Sequence, residues 1–383
     1  MKIVIAPDSF KESLTALEVA VAIEKGFKKV YPEASFVKVP MADGGEGTVQ
    51  ALVDATNGRI IVKTVTGPLG EPVKAFFGIL GDSKTAVIEM AAASGLHLVP
   101  MSKRNPLLTT SRGTGELILA ALEEGVNHII IGLGGSATND GGAGMVSALG
   151  ARLLDVEGNS IGEGGGSLNL LHTIDISSLD PRLQQVKMEV ACDVTNPLIG
   201  PHGASAIFGP QKGATSEMVQ QLDENLAHYA KIIERKLGKQ IAEVPGAGAA
   251  GGLGGGLIAF LDAEINSGIQ IVLAATKLEE SLRGADLVIT GEGKIDSQTI
   301  YGKTPIGVAE TAKRFGIPVV AIAGNVAKDS EVVLEHGIDG LFSIVPGIVT
   351  LTESLENAAE NIERLARNIA CLIKIGGTLN VSR

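Results

Sequence analysis

Carboxylates and lysines stand in a glycine-rich segment at residues 290–297, which reads Thr-Gly-Glu-Gly-Lys-Ile-Asp-Ser. Glycines let backbone N–H groups approach a phosphate closely. Lysine supplies a point charge, and carboxylate oxygens are ligands that Mg²⁺ accepts. Because phosphoryl transfer is catalysed mainly by positioning and charge neutralisation, the segment predicts a phosphate and magnesium site. It would use Glu292, Lys294 and Asp296, with Lys303 as a further cation.

A second glycine-rich segment, residues 132–142, follows a short apolar run and reads Gly-Leu-Gly-Gly-Ser-Ala-Thr-Asn-Asp-Gly-Gly. A loop that only connects two elements rarely needs so many special backbone conformations. We therefore expect it to contact a phosphorylated ligand such as ATP. The predicted contacts are Gly134, Gly135, Ser136, Asn139 and Asp140.

The same segment also fits a dinucleotide-binding pattern. Gly132, Gly134 and Ala137 match Gly-x-Gly-x-x-Ala, and Asp155 lies about twenty residues further on, where a ribose-binding acid would stand. In that motif, however, the turn passes directly into its helix, whereas residues 138–142 intervene here. An NAD-dependent dehydrogenase of small hydroxy acids is therefore an alternative that we disfavour. A non-catalytic two-domain binding protein also stays open.

The standard catalytic motifs are missing from the sequence. The nearest match to a Walker loop is Gly302-Lys303-Thr304, but Ser297 stands where the first glycine should be. The set of motifs typical of protein kinases is absent, and so is the Gly-x-Ser-x-Gly elbow of a hydrolase. The glycine-rich segments therefore predict a phosphate site of another kind.

Several polar residues close to the predicted strand ends are suited to a small anionic substrate. Ser9 and Lys11 follow the first apolar run, and Asp43 directly precedes two glycines. A carboxylate in such a turn can accept a substrate hydroxyl, and a cation can pair with a substrate carboxylate. The predicted substrate-binding residues are Ser9, Lys11, Asp43, Gly44, Gly45 and Arg112.

Asp193 and Asp296 are the candidates for general base. Asp193 follows the strand-like run 187–191 and precedes a Thr-Asn-Pro turn, so an Asx turn before Pro197 is the alternative interpretation. Either aspartate could instead hold the metal. We therefore predict Asp193, Glu292 and Asp296 as the Mg²⁺ ligands and leave the assignment of the base open.

Composition restricts the class of protein. The chain of 383 residues suits two domains. A net charge of −11 with 3% aromatic residues disfavours binding to nucleic acid or to an anionic membrane. The sequence has no apolar run long enough to span a bilayer, and its two cysteines lack metal or disulfide spacing. We expect a cytoplasmic protein that acts on small molecules, and a homo-oligomer stays open.

The elements that must position these residues are strands alternating with helices near both ends of the chain. Lys2–Ala6 predicts a strand, and Thr15-x-x-Glu18 predicts a capping box at the start of a helix. Uninterrupted apolar strands alternating with helices predict a doubly wound parallel sheet. We expect one α/β domain from residues 1–60 and 285–383, interrupted by an inserted mixed α/β domain at 61–284. The active site would lie in the cleft between them.

Two features of the inserted region are predicted from local pattern. Alternating segments at 60–65 and 74–79 lie next to a Gly-Pro turn and predict antiparallel strands. The glycine and alanine run at 246–256 is expected to serve close packing or as a hinge rather than to bind phosphate.

Helix ends are predicted in the same way. A long amphipathic helix is expected at about 216–237 and would end at Gly238. Thr304 followed by Pro305 predicts a helix that begins with Thr304 as its cap. A single final helix is expected at about 351–372.

Taken together, the motifs resemble those of the bacterial class I glycerate kinases. The resemblance runs from Met1 to nearly residue 373. The segments that carry it are Ala6-Pro7-Asp8-Ser9-Phe10-Lys11, Met41-Ala42-Asp43-Gly44-Gly45-Glu46-Gly47, residues 134–142, Cys192-Asp193-Val194-Thr195-Asn196-Pro197-Leu198, Gly209-Pro210-Gln211-Lys212-Gly213-Ala214 and residues 290–296.

The resemblance implies a fold and a reaction. The fold would be a flavodoxin-like domain interrupted by a second α/β domain. The reaction would be ATP-dependent phosphorylation of (R)-glycerate, usually at the 2-hydroxyl to give 2-phosphoglycerate, with ATP and Mg²⁺ as cofactors. Phosphorylation at the 3-hydroxyl stays open, because family resemblance does not fix which hydroxyl is attacked.

Overall fold

The structure is a computed structural model that describes residues 1–378. Its strands are β1 (Lys2–Ile5), β2 (Ser35–Lys38), β3 (Arg59–Thr66), β4 (Pro72–Ile79), β5 (Thr85–Glu89), β6 (His128–Gly132), β7 (Arg152–Leu154), β8 (Thr173–Asp175), β9 (Lys187–Ala191), β10 (Glu264–Asn266), β11 (Leu287–Ile295), β12 (Val319–Val326) and β13 (Gly340–Ser343).

The α-helices are α1 (Ala16–Lys28), α2 (Thr48–Thr56), α3 (Ala91–Ser94), α4 (Arg112–Glu123), α5 (Ala143–Ala148), α6 (Ala204–Phe208), α7 (Ser216–Leu237), α8 (Ala249–Leu261), α9 (Gly268–Ala275), α10 (Leu278–Leu282), α11 (Thr304–Lys313), α12 (Leu351–Glu356) and α13 (Ala358–Gly376). Short 3₁₀ turns lie at Leu96–Leu98, Met101–Lys103, Gly165–Leu170, Pro181–Gln185, Pro210–Lys212 and Ser330–His336. None of the helices within residues 1–378 is long and apolar enough to cross a membrane.

The chain divides into two compact units. The first contains residues 1–43, 50–57 and the part that begins at Ile269, and the second contains residues 44–49 and 58–268. Compared with the boundaries expected from sequence, residues 44–49 and 58–60 fall in the second unit and residues 269–284 in the first. Each unit has its own sheet and apolar core.

The first unit is built on a five-stranded sheet in the order β13-β12-β11-β1-β2, and every neighbouring pair is parallel. On one face, Ile3 and Ile289 belong to a core shared with α1 and α13. The alternate residues Val4 and Val288 are also fully buried. Burial on both faces is what a doubly wound sheet requires, and the predicted α/β fold is confirmed.

The second unit contains a mixed six-stranded sheet in the order β10-β9-β6-β5-β4-β3. Strand β4 pairs antiparallel with β3 and with β5, while the remaining pairs are parallel. The antiparallel character expected near residues 60–79 is thus confirmed. Strands β7 and β8 form a separate two-stranded hairpin.

Helix ends agree with the sequence signals in two places and differ in two others. The capping box between Thr15 and Glu18 is present, and α7 ends at Gly238 in the left-handed conformation, as predicted. The prediction of a single helix at 351–372 is wrong, because Asn357 separates α12 from α13. The side chain of Asn357 donates to the carbonyl of Glu353. Thr304, expected as the N-cap of α11, is its first helical residue.

The glycine and alanine run at 246–256 packs tightly against the 132–142 segment, which fits the first of the two roles, packing or hinge, expected from sequence. Ala250, Gly251 and Gly252 have positive φ values, so the regular part of α8 begins after them. A Cβ on Gly251 would lie 1.9 Å from the carbonyl oxygen of Thr138. Glycine is therefore required there for a close approach of two backbones.

Candidate active site

The first unit places an acidic side chain directly after the end of β1. The carboxylate of Asp8 is buried, and it accepts hydrogen bonds from the Thr304 hydroxyl and the Ser9 amide, each at 2.6 Å. Burial, followed by the nearby charge of Asp43, raises the pKa of Asp8 to about 6. A carboxylate with a pKa near the working pH can accept a proton and release it again.

Glu292 lies on β11, the strand adjacent to β1, and is also perturbed. Burial raises the pKa of Glu292 to about 7. The Lys303 ammonium, 3.9 Å from Oε1, and the Thr299 hydroxyl, which donates at 2.8 Å, oppose this rise. The charges of Asp8 and Asp43 add to it. The three carboxylates therefore form one electrostatically coupled cluster.

Asp296 has the opposite character. Lys294 Nζ lies 2.8 Å from Oδ2, the Gln298 amide donates to Oδ1 at 2.9 Å, and Lys303 Nζ is 3.8 Å away. The Lys294 hydrogen bond is the main cause that holds the pKa of Asp296 below its usual range. Because Asp296 stays ionised, it is better suited to a lasting charge interaction than to proton transfer.

The structure brings the predicted residues of the first unit together. Ser9 contacts Asp8 through its amide and its hydroxyl. Lys11 has an exposed side chain, and its backbone nitrogen would lie 3.7 Å from a Cβ placed on Gly293. The 8–11 turn and the 290–297 segment are therefore neighbours at the carboxyl edge of a parallel sheet, where ligands of such folds bind.

In the second unit, the 132–142 segment has an exposed tip and a buried base. Gly134 and Gly135 are exposed, whereas Ser136 and the next four residues are buried. The Gly135 carbonyl accepts a hydrogen bond from the Leu96 amide at 2.8 Å. An exposed glycine backbone on a fixed base can present N–H groups to an anion.

Asn139 and Asp140 lie inside the unit. The carboxylate of Asp140 accepts from the amide and hydroxyl of Ser111 and from the amides of Gly142 and Gly144. Burial raises its pKa. The Asn139 amide donates to the Ser205 hydroxyl at 2.9 Å. These bonds hold the loop in shape, and the ATP contacts expected of both residues stay predictions.

A second group of predicted residues meets at the ends of β6 and β9. Asp193 is exposed, and its Oδ1 accepts from the Gly268 amide at 3.0 Å. A Cβ on Gly44 would lie 2.7 Å from Gly268 Cα, and a Cβ on Gly134 would lie 3.7 Å from Gly45 Cα. Four predicted positions, Asp193, Gly44, Gly45 and Gly134, therefore lie along one edge of this sheet.

Arg112, the first residue of α4, is already paired with acids. Its guanidinium lies 3.4 Å from Glu116 and 3.2 Å from Glu163. It lines a cavity of about 360 Å³ together with Ser147 and Ser160. The expected role of Arg112 in binding a substrate carboxylate stays a prediction.

Sequence reasoning missed Asp8 as a titrating residue and Glu89 as a support. The signal for Asp8 was its place in Pro-Asp-Ser directly after a strand. Glu89 ends β5 and accepts a hydrogen bond from the Val49 amide at 2.9 Å, in the first turn of α2. Glu89 thereby fixes the backbone at Val49, four residues after Gly45.

The carboxylates of the first unit fit a magnesium ion that also takes ligands from water and from the substrate. Within the described residues, no three acidic, histidine or cysteine side chains are arranged to hold a metal by themselves. Mg²⁺ commonly takes only one or two carboxylates and completes its shell with water and substrate phosphates. Glu292 and Asp296, which share Lys303 as a neighbour, match that donor set.

The dinucleotide alternative gains no support from the structure. Asp155 follows β7, which pairs antiparallel with β8 in the separate hairpin rather than in the main sheet. Its Oδ1 accepts from the amides of Glu157 and Asn159, as in an Asx turn. A turn residue in this position has a local structural role.

Comparison with known proteins extends over nearly the whole chain. The family model described as "Glycerate kinase family" matches residues 3–374. A glycerate kinase from Bacillus subtilis (strain 168) is 64% identical over 379 residues, which cover 99% of each chain. A glycerate 2-kinase from Escherichia coli (strain K12) is 62% identical over 376 residues, covering 98% of this chain and 99% of that protein.

A solved structure gives the same result for the fold. The crystal structure of a protein from Salmonella typhimurium LT2 is similar to this chain, with a TM-score of 0.92 and 59% identity. The match covers 99% of this chain and 100% of that one. The resemblance inferred from the motifs is confirmed, and the chain belongs to the glycerate kinase family.

Proposed function

We propose that this protein is an ATP-dependent glycerate kinase that converts (R)-glycerate and ATP to 2-phosphoglycerate and ADP. The observation that carries the proposal is the cluster of perturbed carboxylates and lysines in the first unit, in a chain that matches its family from residue 3 to 374. The name of the E. coli relative, glycerate 2-kinase, supports the 2-hydroxyl as the acceptor.

Asp8 is the general base in this proposal. The glycerate hydroxyl oxygen attacks the γ-phosphorus of ATP, and the bond from that phosphorus to the bridging oxygen of ADP breaks. The hydroxyl proton passes to the carboxylate of Asp8, whose pKa of about 6 leaves it mostly ionised at neutral pH. Ser9 and Thr304 fix the orientation of this carboxylate. Asp193, the base candidate of the second unit, stays a prediction.

Two lysines and two carboxylates would bind the phosphates and their magnesium ion: Lys294, Lys303, Glu292 and Asp296. The two lysines are the cations nearest to the two carboxylates and would neutralise charge on the transferring group. Glu292 and Asp296 would hold Mg²⁺, which when bound neutralises charge on the phosphate oxygens. Asp193 was also predicted as a metal ligand, and that role stays a prediction.

The remaining predicted residues bind the two substrates. Lys11 and Ser9 would receive the glycerate carboxylate, and Asp43 one of its hydroxyls. The exposed backbone of Gly134 and Gly135 would receive phosphate oxygens. Because ATP is consumed and both cysteines are free thiols, we also propose a cytoplasmic location.

Phosphorus NMR of the reaction products tests both the activity and the acceptor. Purified protein is mixed with D-glycerate, ATP and MgCl₂. Phosphate on the 2-hydroxyl has one proton on the attached carbon and gives a doublet, whereas phosphate on the 3-hydroxyl has two and gives a triplet. A doublet together with ADP is expected. A triplet would overturn the acceptor assignment, and no phosphate ester would overturn the activity.

A further inference from the structure

Lys212 is a fully buried lysine that the proposed chemistry does not use. It ends the 3₁₀ turn Pro210–Lys212, its exposed fraction is 1%, and its Nζ donates a hydrogen bond of 2.6 Å to the carbonyl oxygen of Thr138. The next residue, Gly213, has a φ of +90°, and a Cβ there would lie 2.6 Å from the Arg104 carbonyl. The turn that carries Lys212 therefore packs closely against the backbone at Arg104.

Burial of Lys212 is costly for the fold. An ammonium removed from water loses several kcal/mol of solvation, by order of magnitude, unless it is paired. The charge of Asp140 favours the ammonium, but burial outweighs it and lowers the pKa of Lys212 to about 7. A methionine of similar volume would avoid this cost. The lysine therefore calls for an explanation beyond packing.

The hydrogen bond of Lys212 acts on the buried part of the 132–142 segment, residues 136–140. Thr138 lies three residues after Gly135, and its side chain is completely buried. On either side, the Ala137 carbonyl accepts from the Thr109 hydroxyl at 2.8 Å, and the Asn139 side chain donates to Ser205. Without Lys212, the Thr138 carbonyl at the centre of this buried part would lose its side-chain donor.

We propose that Lys212 is a positioning residue that fixes the Thr138 carbonyl and thereby holds the exposed Gly134–Gly135 backbone in the geometry that receives a nucleotide phosphate. The ligand part of this inference rests on the proposed kinase function. The positioning part concerns the loop itself and is tested separately. Lys212 contacts no reacting atom in this proposal, since its Nζ is directed at backbone inside the unit.

Two variants at the same position separate positioning from packing. Lys212→Met keeps the side-chain volume but removes the hydrogen-bond donor. Lys212→Gln keeps an uncharged N–H donor on a shorter side chain. Tyr229→Phe is the control, because it removes a buried hydroxyl that lies beside Gly141 of the same loop and has no hydrogen-bond partner within residues 1–378. Hydrogen exchange of the peptide covering residues 133–138 is measured by mass spectrometry, together with KM for ATP and kcat.

We expect Lys212→Met to exchange in this peptide at least tenfold faster than wild type, with no change in peptides of the first unit. Its KM for ATP should rise at least tenfold while KM for glycerate changes less than threefold. Lys212→Gln should lie between Lys212→Met and wild type, and Tyr229→Phe should match wild type. If Lys212→Met does not fold, Lys212→Gln against wild type gives the same comparison.

Unchanged exchange of the 133–138 peptide in a folded Lys212 variant would overturn the positioning role. Faster exchange with an unchanged KM for ATP would overturn the link to nucleotide binding. A wild-type protein that does not phosphorylate glycerate would refute the proposed function. In that case the exchange data would still decide whether Lys212 orders the loop.

Discussion

Replacing Asp8 by asparagine should make the protein more stable at neutral pH and nearly inactive. The pKa of Asp8 rises from its usual 3.8 to about 6 because the carboxylate is buried near Asp43. The folded state thus holds this proton more tightly than the unfolded state. The contribution of Asp8 to the free energy of unfolding therefore falls as pH rises from about 4 through 6.

The magnitude follows from that difference of about two pH units. At 1.36 kcal/mol per unit, the ionised Asp8 costs about 3 kcal/mol near pH 8 that it does not cost near pH 4. Asparagine does not ionise, although its amide cannot accept from both Ser9 and Thr304. That loss costs about 1 kcal/mol and is similar at both pH values. The stability difference between variant and wild type should therefore grow by about 3 kcal/mol from pH 4 to pH 8.

Urea unfolding followed by far-UV circular dichroism measures this difference near pH 4, 6 and 8. The same variant should lose about 10² to 10⁴ in kcat, the usual contribution of a general base. Thr304→Val is the matched variant: it keeps the carboxylate but removes the donor at 2.6 Å. It should raise the pKa of Asp8 further and shift the acidic limb of the kcat/KM profile to higher pH. A stability difference that does not change with pH would exclude the raised pKa of Asp8, and a near-normal kcat for Asp8→Asn would exclude Asp8 as the general base.

Two further predictions concern a lysine of the first unit and a glycine of the second. Lys303→Met removes the cation that lowers the pKa of Glu292, so Glu292 should need a higher pH to ionise and hold Mg²⁺. The activity of the variant should therefore recover relative to wild type as pH is raised from 7 to 9, and a pH profile parallel to that of wild type would contradict this. Gly251→Ala would bring a Cβ to 1.9 Å from the Thr138 carbonyl at a φ of +69°. Thermal unfolding should show a loss of about 3 kcal/mol or more, whereas Gly158→Ala, in open space at φ +86°, should lose about 1 to 2 kcal/mol. Equal losses in the two glycine variants would remove the close approach as the cause.

Local signals in the sequence were sufficient for much of the fold. The capping box at Thr15 and the stop at Gly238 depend on residues within one helical turn, and both are present. The break at Asn357 was missed because the apolar pattern continues across it. At Asn357 the helix is interrupted, and the side-chain amide donates to the Glu353 carbonyl, a contact that the apolar pattern does not reveal.

The site was predicted in outline, and its electrostatics were not. Sequence grouped Glu292, Lys294, Asp296 and Lys303 into one phosphate and magnesium site, and the structure joins them into one coupled cluster. Glu292 and Lys294 lie on β11 itself. The pKa of Asp8 depends on burial and on Thr304, 296 residues further along the chain, which no local pattern reveals. Likewise, the burial of Asp140 depends on Ser111, 29 residues earlier in the chain, and on two glycine amides that donate to its carboxylate.

The rate of ADP release with and without D-glycerate is the most direct test of the central claim. It is measured in a coupled assay with ATP and MgCl₂, with wild-type protein beside Asp8→Asn. In the wild type, ADP release should depend on glycerate, and in Asp8→Asn it should fall at least a hundredfold. Glycerate-independent ADP release, or reduction of NAD by glycerate in place of ADP formation, would contradict it.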